Sequence, residues 1–237
     1  MEWIPVYDEI QAAVSAEHRF GTDAILLSHF AAPAAGERVC ELGTGCGAIA
    51  LRLAATGKPA AVHGVDIQPA AVALAQAGAD AFVGEPRPTF AVGDWRNYRE
   101  IAPAGSFRRV VCNPPYFPPA SGDVSRSEAA QIARHEQADT LDSLCEAASW
   151  LVQSGGSVCL CHRPERVTAV LGALSRHKLE PKRLQAVQKQ ADTPPWLFLV
   201  EARRDGKAGL IWLPPLVLYD PDGQPSAAMK EIYREIR

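Results

Sequence analysis

From Arg38 to Arg176, short apolar runs alternate with stretches of helical periodicity, the order that signals parallel β-α-β units. Arg38–Leu42 predicts a strand, after which Ala48, Ile49, Leu51, Leu53 and Ala54 line a helix that Gly57 ends. Ala60–Asp66 predicts the second strand, and Pro69 suits the first turn of a helix through Val72, Leu74 and Ala75. Thr89–Asp94 and Arg109–Asn113 follow as strands three and four. Leu141, Leu144, Cys145, Ala148, Leu151 and Val152 have helical spacing between Asp139-Thr140 and the stop at Gly155-Gly156. Ser157–His162 is a fifth strand, and Val167, Val170, Leu171 and Leu174 mark another helix. Leu184–Val187 and Trp196–Ala202, joined by a turn-rich segment ending in Pro194-Pro195, predict a hairpin at the sheet edge. The tail from Ser226 predicts a last helix. The pattern implies a single α/β domain with a doubly wound, mostly parallel, Rossmann-like sheet whose ligand sits at the carboxyl ends of the strands. Residues 1–37 are expected to form an N-terminal helical cap, 38–203 the core, and 204–237 a C-terminal extension packed on it.

Four polar residues, Glu41, Asp66, Asp94 and Asn113, fall at such strand ends. Between Glu41 and the first helix runs Gly43-Thr44-Gly45-Cys46-Gly47, a turn in which glycines allow a tight path and let a ligand lie on bare backbone. The spelling also fits a dinucleotide fingerprint, with Ala48 in the third small slot, so the loop alone leaves the cofactor open. Glu41 narrows the choice, because a carboxylate beside the turn repels a pyrophosphate and suits the ammonium of a methionine-like tail. Asp66, with Ile67 beside it, is placed to bind both ribose hydroxyls, and Asp94 with Trp95 to hold an adenine.

Asn113-Pro114-Pro115-Tyr116 follows the fourth strand. An sp² amine is a poor nucleophile because its lone pair is delocalised. The Asn113 side-chain oxygen and the Pro114 carbonyl are two acceptors that would draw on both N–H groups and favour a more tetrahedral nitrogen. The prolines fix φ and remove competing donors. Tyr116 supplies a flat face for the substrate's π system. The chemistry needs no metal and no strong base. Asn113, Pro114 and Tyr116 are therefore the candidate catalytic set, and Asn113, where sheet and cofactor turn meet, is counted with the cofactor residues as well.

Composition alters little. With 237 residues, 47% hydrophobic and 22% charged, the chain is an ordinary globular one. It has no apolar run of the ~18 residues that a membrane span needs, and its start lacks the pattern of a signal peptide, so a cytosolic protein is expected. Six cysteines sit mostly in apolar segments, as buried thiols do. Cys159-Leu160-Cys161-His162 has no second cluster to complete a metal site, and no metal is expected. A net charge of −3 argues against bulk attraction of nucleic acid. Residues 160–210, however, carry ten Lys/Arg against five Asp/Glu, and Lys182, Arg183, Lys189, Arg203, Arg204 and Lys207 form a candidate basic surface.

The glycine turn with Glu41, Asp66 and Asp94 resembles the class I S-adenosylmethionine-dependent methyltransferases. The resemblance implies a seven-stranded sheet with one antiparallel strand in its last pair, and S-adenosylmethionine as cofactor. The tetrapeptide resembles the amino-methyltransferases that act on adenine N6 or on glutamine N5 of proteins. Phe20-Gly21-Thr22-Asp23-Ala24-Ile25-Leu26-Leu27, Arg134-His135-Glu136, Pro181-Lys182-Arg183, Leu199–Ala202 and Pro214–Asp220 are similar to the bacterial tRNA (adenine-N6)-methyltransferase family, which modifies adenosine 37, beside the anticodon, of a valine tRNA. A tRNA partner is what this implies. A glutamine methyltransferase shares the tetrapeptide but usually carries a helical domain ahead of the sheet, for which the 37 residues before the first strand are too few. Guanine-N2 methyltransferases tend to have Phe at the place of Tyr116. An RNA-binding module without catalysis is the non-enzymatic alternative.

Overall fold

A computed structural model of the chain describes residues 1–114 and 128–234, and all of their side chains except those of 128–139 and 234. Glu2–Tyr7 (β1) and Ile10–Val14 (β2) form an antiparallel hairpin, with Asp8 at its turn in the left-handed region at φ 45°. Thr22–Ala31 (α1) follows. The segment expected as a helical cap thus holds one helix and a hairpin. Trp3-Ile4-Pro5-Val6-Tyr7 is rich in the β-branched and aromatic residues that favour strands. Exposed Gln11 between buried Ile10 and Ala12 shows the period of two.

The core elements are β3 (Arg38–Leu42), α2 (Ala48–Ala55), β4 (Ala61–Asp66), α3 (Pro69–Asp80), β5 (Thr89–Val92), α4 (Tyr98–Ile101), β6 (Phe107–Cys112), α5 (Glu128–Leu151), β7 (Val152–His162), α6 (Val167–Arg176), β8 (Leu179–Gln188) and β9 (Pro195–Arg204). The chain ends through β10 (Ile211–Trp212), β11 (Leu216–Val217) and α7 (Ala227–Arg234). Seven strands make the main sheet in the order β5-β4-β3-β6-β7-β9-β8, every pair parallel except the two that β9 makes. The expected doubly wound α/β fold is therefore present. The short β10 and β11 both add in parallel to β8, which covers part of that edge.

Two boundaries differ from the pattern. Helix α5 begins eleven residues before Asp139, at Glu128, because the intervening Ala, Gln, Arg and Glu residues are strong helix formers that carry the helix through the cap-like Asp139-Thr140. Strand β7 begins at Val152 rather than Ser157. Its pairing slips between Phe107↔Val152 and Arg109↔Ser157, and Gly155, at φ 73°, allows that irregularity.

Alternate strand residues feed two apolar layers. Val39, Val111 and Cys159 join Leu26, Leu27, Ile49, Leu51 and Leu53 of α1 and α2, with Met229 and Ile232 of α7, on one face. Cys40, Val110 and Leu160 join Leu144, Cys145, Leu151, Val170 and Leu174 of α5 and α6 on the other. All six cysteines are buried, and none is in a disulfide. Arg52, 3% exposed, donates to Val6 O at 2.6 Å and to Ile232 O at 3.0 Å. One guanidinium thus ties the N-terminal hairpin and the C-terminal helix to α2, where the helix emerges from the glycine turn.

Candidate active site

From β3 the chain steps outward through β4 and β5. From β6 it steps the other way through β7. The carboxyl ends of the adjacent β3 and β6, in register at Leu42↔Cys112, therefore flank the crevice where doubly wound sheets hold ligands. The glycine turn leaves the first of these ends and Asn113 the second.

Gly43, Gly45 and Gly47 have φ of 70°, 55° and 80°, a region costly for residues with a Cβ. Their surroundings differ. A Cβ on Gly47 would lie 2.9 Å from Ala75 Cβ and from the Phe90 ring, and one on Gly43 3.3 Å from the Trp95 ring. One on Gly45 would meet nothing within 4 Å. Two glycines therefore serve close packing, while Gly45 presents bare backbone to open space, a cradle that a side chain would fill.

Glu41 is 1% exposed, and its Oε2 accepts from Thr44 Oγ1 at 2.6 Å and from Ala50 N at 2.9 Å. It caps α2 from nine residues back, because the residue at the cap position, Gly47, has no side chain to do so. Burial pushes the Glu41 carboxyl up to about 8, outweighing the downward pull of the Thr44 and Ala50 hydrogen bonds. A carboxyl raised on folding stabilises the fold fully below its ordinary value of 4.5, and that contribution is lost as pH rises through about 8. Denaturant titrations of wild type and Glu41→Gln should therefore show the variant gaining relative stability between about pH 5 and pH 8. A difference that does not change with pH would place the ionisation of Glu41 elsewhere.

Asp66 ends β4 and is 7% exposed. Its Oδ2 accepts from Gly45 N at 2.8 Å and its Oδ1 from Gln68 N at 2.9 Å, so it ties the glycine turn to the next strand. A carboxylate oxygen has room for a further donor, which leaves Asp66 able to take hydroxyl groups as well. Ile67 beside it is 53% exposed, an apolar surface at the same end. Asp94 accepts from Arg96 N at 2.9 Å and from Arg96 Nε at 2.8 Å, and the guanidinium so bonded holds its carboxyl below the usual range. Trp95 donates from Nε1 to Ser143 Oγ at 3.3 Å and lays its ring against Gly43. Glycine turn, Asp66 and Trp95 thus come together as one wall.

Asn113 is half-buried and Pro114 buried. The Asn113 Nδ2 donates to Asp23 Oδ2 at 3.0 Å, and the Cys161 thiol donates to Asn113 Oδ1 at 3.1 Å. Neither partner carries a local sequence signal for such a role. Asp23 looks like an ordinary acid in the first turn of a helix, and Cys161 like core. The signal that could have found Asp23 is the Phe20–Leu27 segment, which stands out only by resemblance. Pro115 and Tyr116 lie outside the described residues, as do the side chains of Arg134, His135 and Glu136 on α5.

The candidate basic residues are divided between the two ends of the sheet. Arg203 and Arg204 pair with Glu180 and Leu179 at the start of β8, the amino ends of the parallel strands, and Lys207 lies just beyond, its carbonyl accepting from Lys182 Nζ at 3.0 Å. Arg204 donates to Val152 O at 2.5 Å, and Arg183 is hydrogen-bonded to Glu201 and stacked on the Phe30 ring. Lys189 directly follows β8, at the end that carries Asn113. Among the described residues no group of three or more His, Cys, Asp or Glu is placed to hold a metal ion, and no helix is long and apolar enough to cross a membrane.

The methyltransferase small domain model matches residues 14–168, the stretch that holds the glycine turn, Asp66, Asp94 and Asn113. The chain belongs to the methyltransferase small domain family. A tRNA1(Val) (adenine(37)-N6)-methyltransferase of Porphyromonas gingivalis is 32% identical over 191 residues, 78% of this chain and 74% of that protein. A release factor glutamine methyltransferase of Rhodospirillum rubrum is 43% identical over 107 residues, and the match spans only 45% of this chain and 31% of that protein. Among solved structures, a predicted O-methyltransferase of Agrobacterium tumefaciens superposes with a TM-score of 0.73 at 20% identity, over 90% of this chain and 96% of that one. The TrmN structure from Thermus thermophilus gives 0.59 at 20% identity, over 76% of this chain and 48% of that one. The fold is that of S-adenosylmethionine-dependent methyltransferases. The open cradle at Gly45, flanked by the carboxylate of Asp66 and the exposed Ile67, fits such a nucleoside.

Proposed function

We propose that the protein transfers a methyl group from S-adenosylmethionine to the exocyclic N6 amine of an adenosine in RNA, the RNA being a tRNA and the site adenosine 37 of a valine tRNA. The observation that supports this most is the likeness to the tRNA1(Val) (adenine(37)-N6)-methyltransferase, which runs through most of both chains. In this reading Gly45 lies against the cofactor on a turn whose path Gly43 and Gly47 allow, Asp66 and Ile67 take its ribose, and Asp94 and Trp95 its adenine. Glu41, buried and bonded to Thr44 and Ala50, holds the turn in shape from behind. When bound, S-adenosylmethionine supplies an electrophilic methyl group on a sulfonium. The Asn113 side-chain oxygen and the Pro114 carbonyl accept the two N–H groups of the target amine and favour a pyramidal nitrogen, and Tyr116 stacks on the base. Buried Pro114 cannot donate a backbone N–H, so no competing donor arises there.

An adenine reaches this crevice only from an unpaired or flipped-out position, which favours a tRNA loop over a duplex. The phosphates flanking it would meet the crevice end of the sheet, where Lys189 follows β8 and Arg166 follows β7. Reversal of Lys189 and Arg166 to Glu should lower tRNA methylation, with the defect largest at low salt and shrinking as salt rises, because fewer phosphate contacts remain to be screened, while reversal of Lys182 and Lys207 should change it little. Arg183→Glu is no test, because it would set a second carboxylate beside Glu201. Equal losses from both pairs would return RNA binding to the larger basic segment.

The 43% identity with the glutamine methyltransferase favours protein glutamine N5 as the second reading. Incubation with methyl-labelled S-adenosylmethionine and either bulk tRNA or a bacterial release factor separates the two. Labelled N6-methyladenosine supports the proposal. Labelled methylglutamine, or N2-methylguanosine, overturns it.

A further inference from the structure

We infer that Asp23 is the positioning residue for Asn113: its carboxylate fixes which way the Asn113 amide faces, and so aims Oδ1 rather than Nδ2 at the substrate amine. This rests on the reading of Asn113 as the amine's acceptor. A primary amide has two ends of similar shape and opposite hydrogen-bonding character. Turned one way, Asn113 offers an acceptor to an incoming N–H. Turned the other way, it offers N–H groups that face those of the amine, donor against donor.

The structure removes that choice. Asp23 Oδ2 lies 3.0 Å from Asn113 Nδ2, and a carboxylate only accepts. The Cys161 thiol lies 3.1 Å from Oδ1 on the other side. A flipped amide would set Oδ1 against the Asp23 carboxylate and Nδ2 against the S–H, so both contacts oppose it. They are unequal in strength, however. The hydrogen bond to the charged carboxylate is the strong one, whereas a thiol is a weak donor that gives way readily to an amine N–H. Nδ2 is thus held firmly by the charged partner, and the thiol contact on Oδ1 is the one that yields to a substrate N–H.

Asp23 is itself held. Its Oδ1 accepts from Ala24 N at 3.0 Å, and a Cβ on Gly21 would come within 2.7 Å of that same oxygen. Glycine at 21 therefore leaves the room that the carboxylate occupies. Immediately after it, Ala24, Ile25, Leu26 and Leu27 are all buried, which seats α1 in the core and gives the carboxylate a rigid base. The segment Phe20–Leu27 thereby acquires a function ninety positions away from the residue it serves.

The test is a set of four variants assayed for labelled methyl transfer to bulk tRNA, with S-adenosylmethionine affinity by calorimetry and melting temperature measured alongside. Asp23→Ser keeps a side-chain acceptor for the first turn of α1 but is too short to reach Asn113. It should lower kcat about 10-fold, the scale of one charged hydrogen bond, with cofactor affinity unchanged. Asp23→Asn, whose amide oxygen still accepts, should recover most of that loss. In the Asn113→Ala background Asp23→Ser should cost nothing further, since the group it positions is gone. Wild-type kcat in Asp23→Ser, failure of Asp23→Asn to restore activity, or an equal further loss on top of Asn113→Ala would each overturn the positioning role while leaving Asn113 in place. Full activity in Asn113→Ala alone would overturn the reading of Asn113 instead.

Discussion

Asn113→Ala is expected to lower turnover on tRNA at least about 100-fold and to leave S-adenosylmethionine affinity within about threefold. The residue follows β6 directly, at the carboxyl end next to the glycine turn. Its amide contacts Asp23 on α1 and Cys161 on β7, which lie outside the glycine turn. The hydrogen bonds that shape the cradle, Asp66 with Gly45 and Glu41 with Thr44 and Ala50, do not involve it. Truncation therefore removes an acceptor needed by the reacting nitrogen, and with it the orientation of that nitrogen, while the cofactor wall stands. An interaction lost only at the reacting centre shows in kcat rather than in ground-state affinity. Single-turnover rates with saturating cofactor, beside calorimetric affinity, separate the two quantities. A large loss of cofactor affinity with an unaltered single-turnover rate would move Asn113 from the substrate side to the cofactor side.

The wall was legible in the sequence because its signals are local. Arg38–Leu42, the glycine turn and Pro69 each announce a strand end or helix start within a few residues, and the structure places them as the pattern predicts. The glycines' separate duties were not legible, since whether a Cβ would meet Phe90 or empty space depends on elements far along the chain. Asp23 was hidden for the same reason. Its carboxylate meets Asn113 only because α1 packs on the face of the sheet over β7 and β9, and β7 is the neighbour of β6. The basic residues were harder to place for a different reason. Counting charge along residues 160–210 treats neighbours in sequence as neighbours in space, but β8 and β9 run antiparallel. The end of β9 is therefore carried back to the amino ends of the parallel strands, and Arg203 and Arg204 go with it, far from Lys189. Nor did the N-terminal hairpin show itself, because two short strands around Asp8 leave too brief an alternation to stand out from a helix's first turns.

Asp66→Ala should weaken S-adenosylmethionine binding about 10- to 150-fold, the equivalent of roughly 1.5–3 kcal/mol for hydrogen bonds to a charged group. Two routes lead to that loss, and the structure makes them separable. The carboxylate takes the ribose hydroxyls in the proposed mode, and it also holds Gly45 N at 2.8 Å, so its removal loosens the turn on which the methionine end would lie. Adenosine alone carries the ribose and not the methionine. Should Asp66 act on the ribose, adenosine affinity falls by about as much as that of the whole cofactor. Should it act through Gly45, adenosine binds nearly as in wild type and only the whole cofactor suffers. Asp66→Asn sharpens the distinction: its single amide oxygen can satisfy Gly45 N, but its NH2 faces Gln68 N, so one end of the tie is kept and the other lost. If calorimetry shows unchanged affinity for both ligands in Asp66→Ala, the end of β4 is not the ribose site, and Ile67, exposed beside it, loses its assigned place as well.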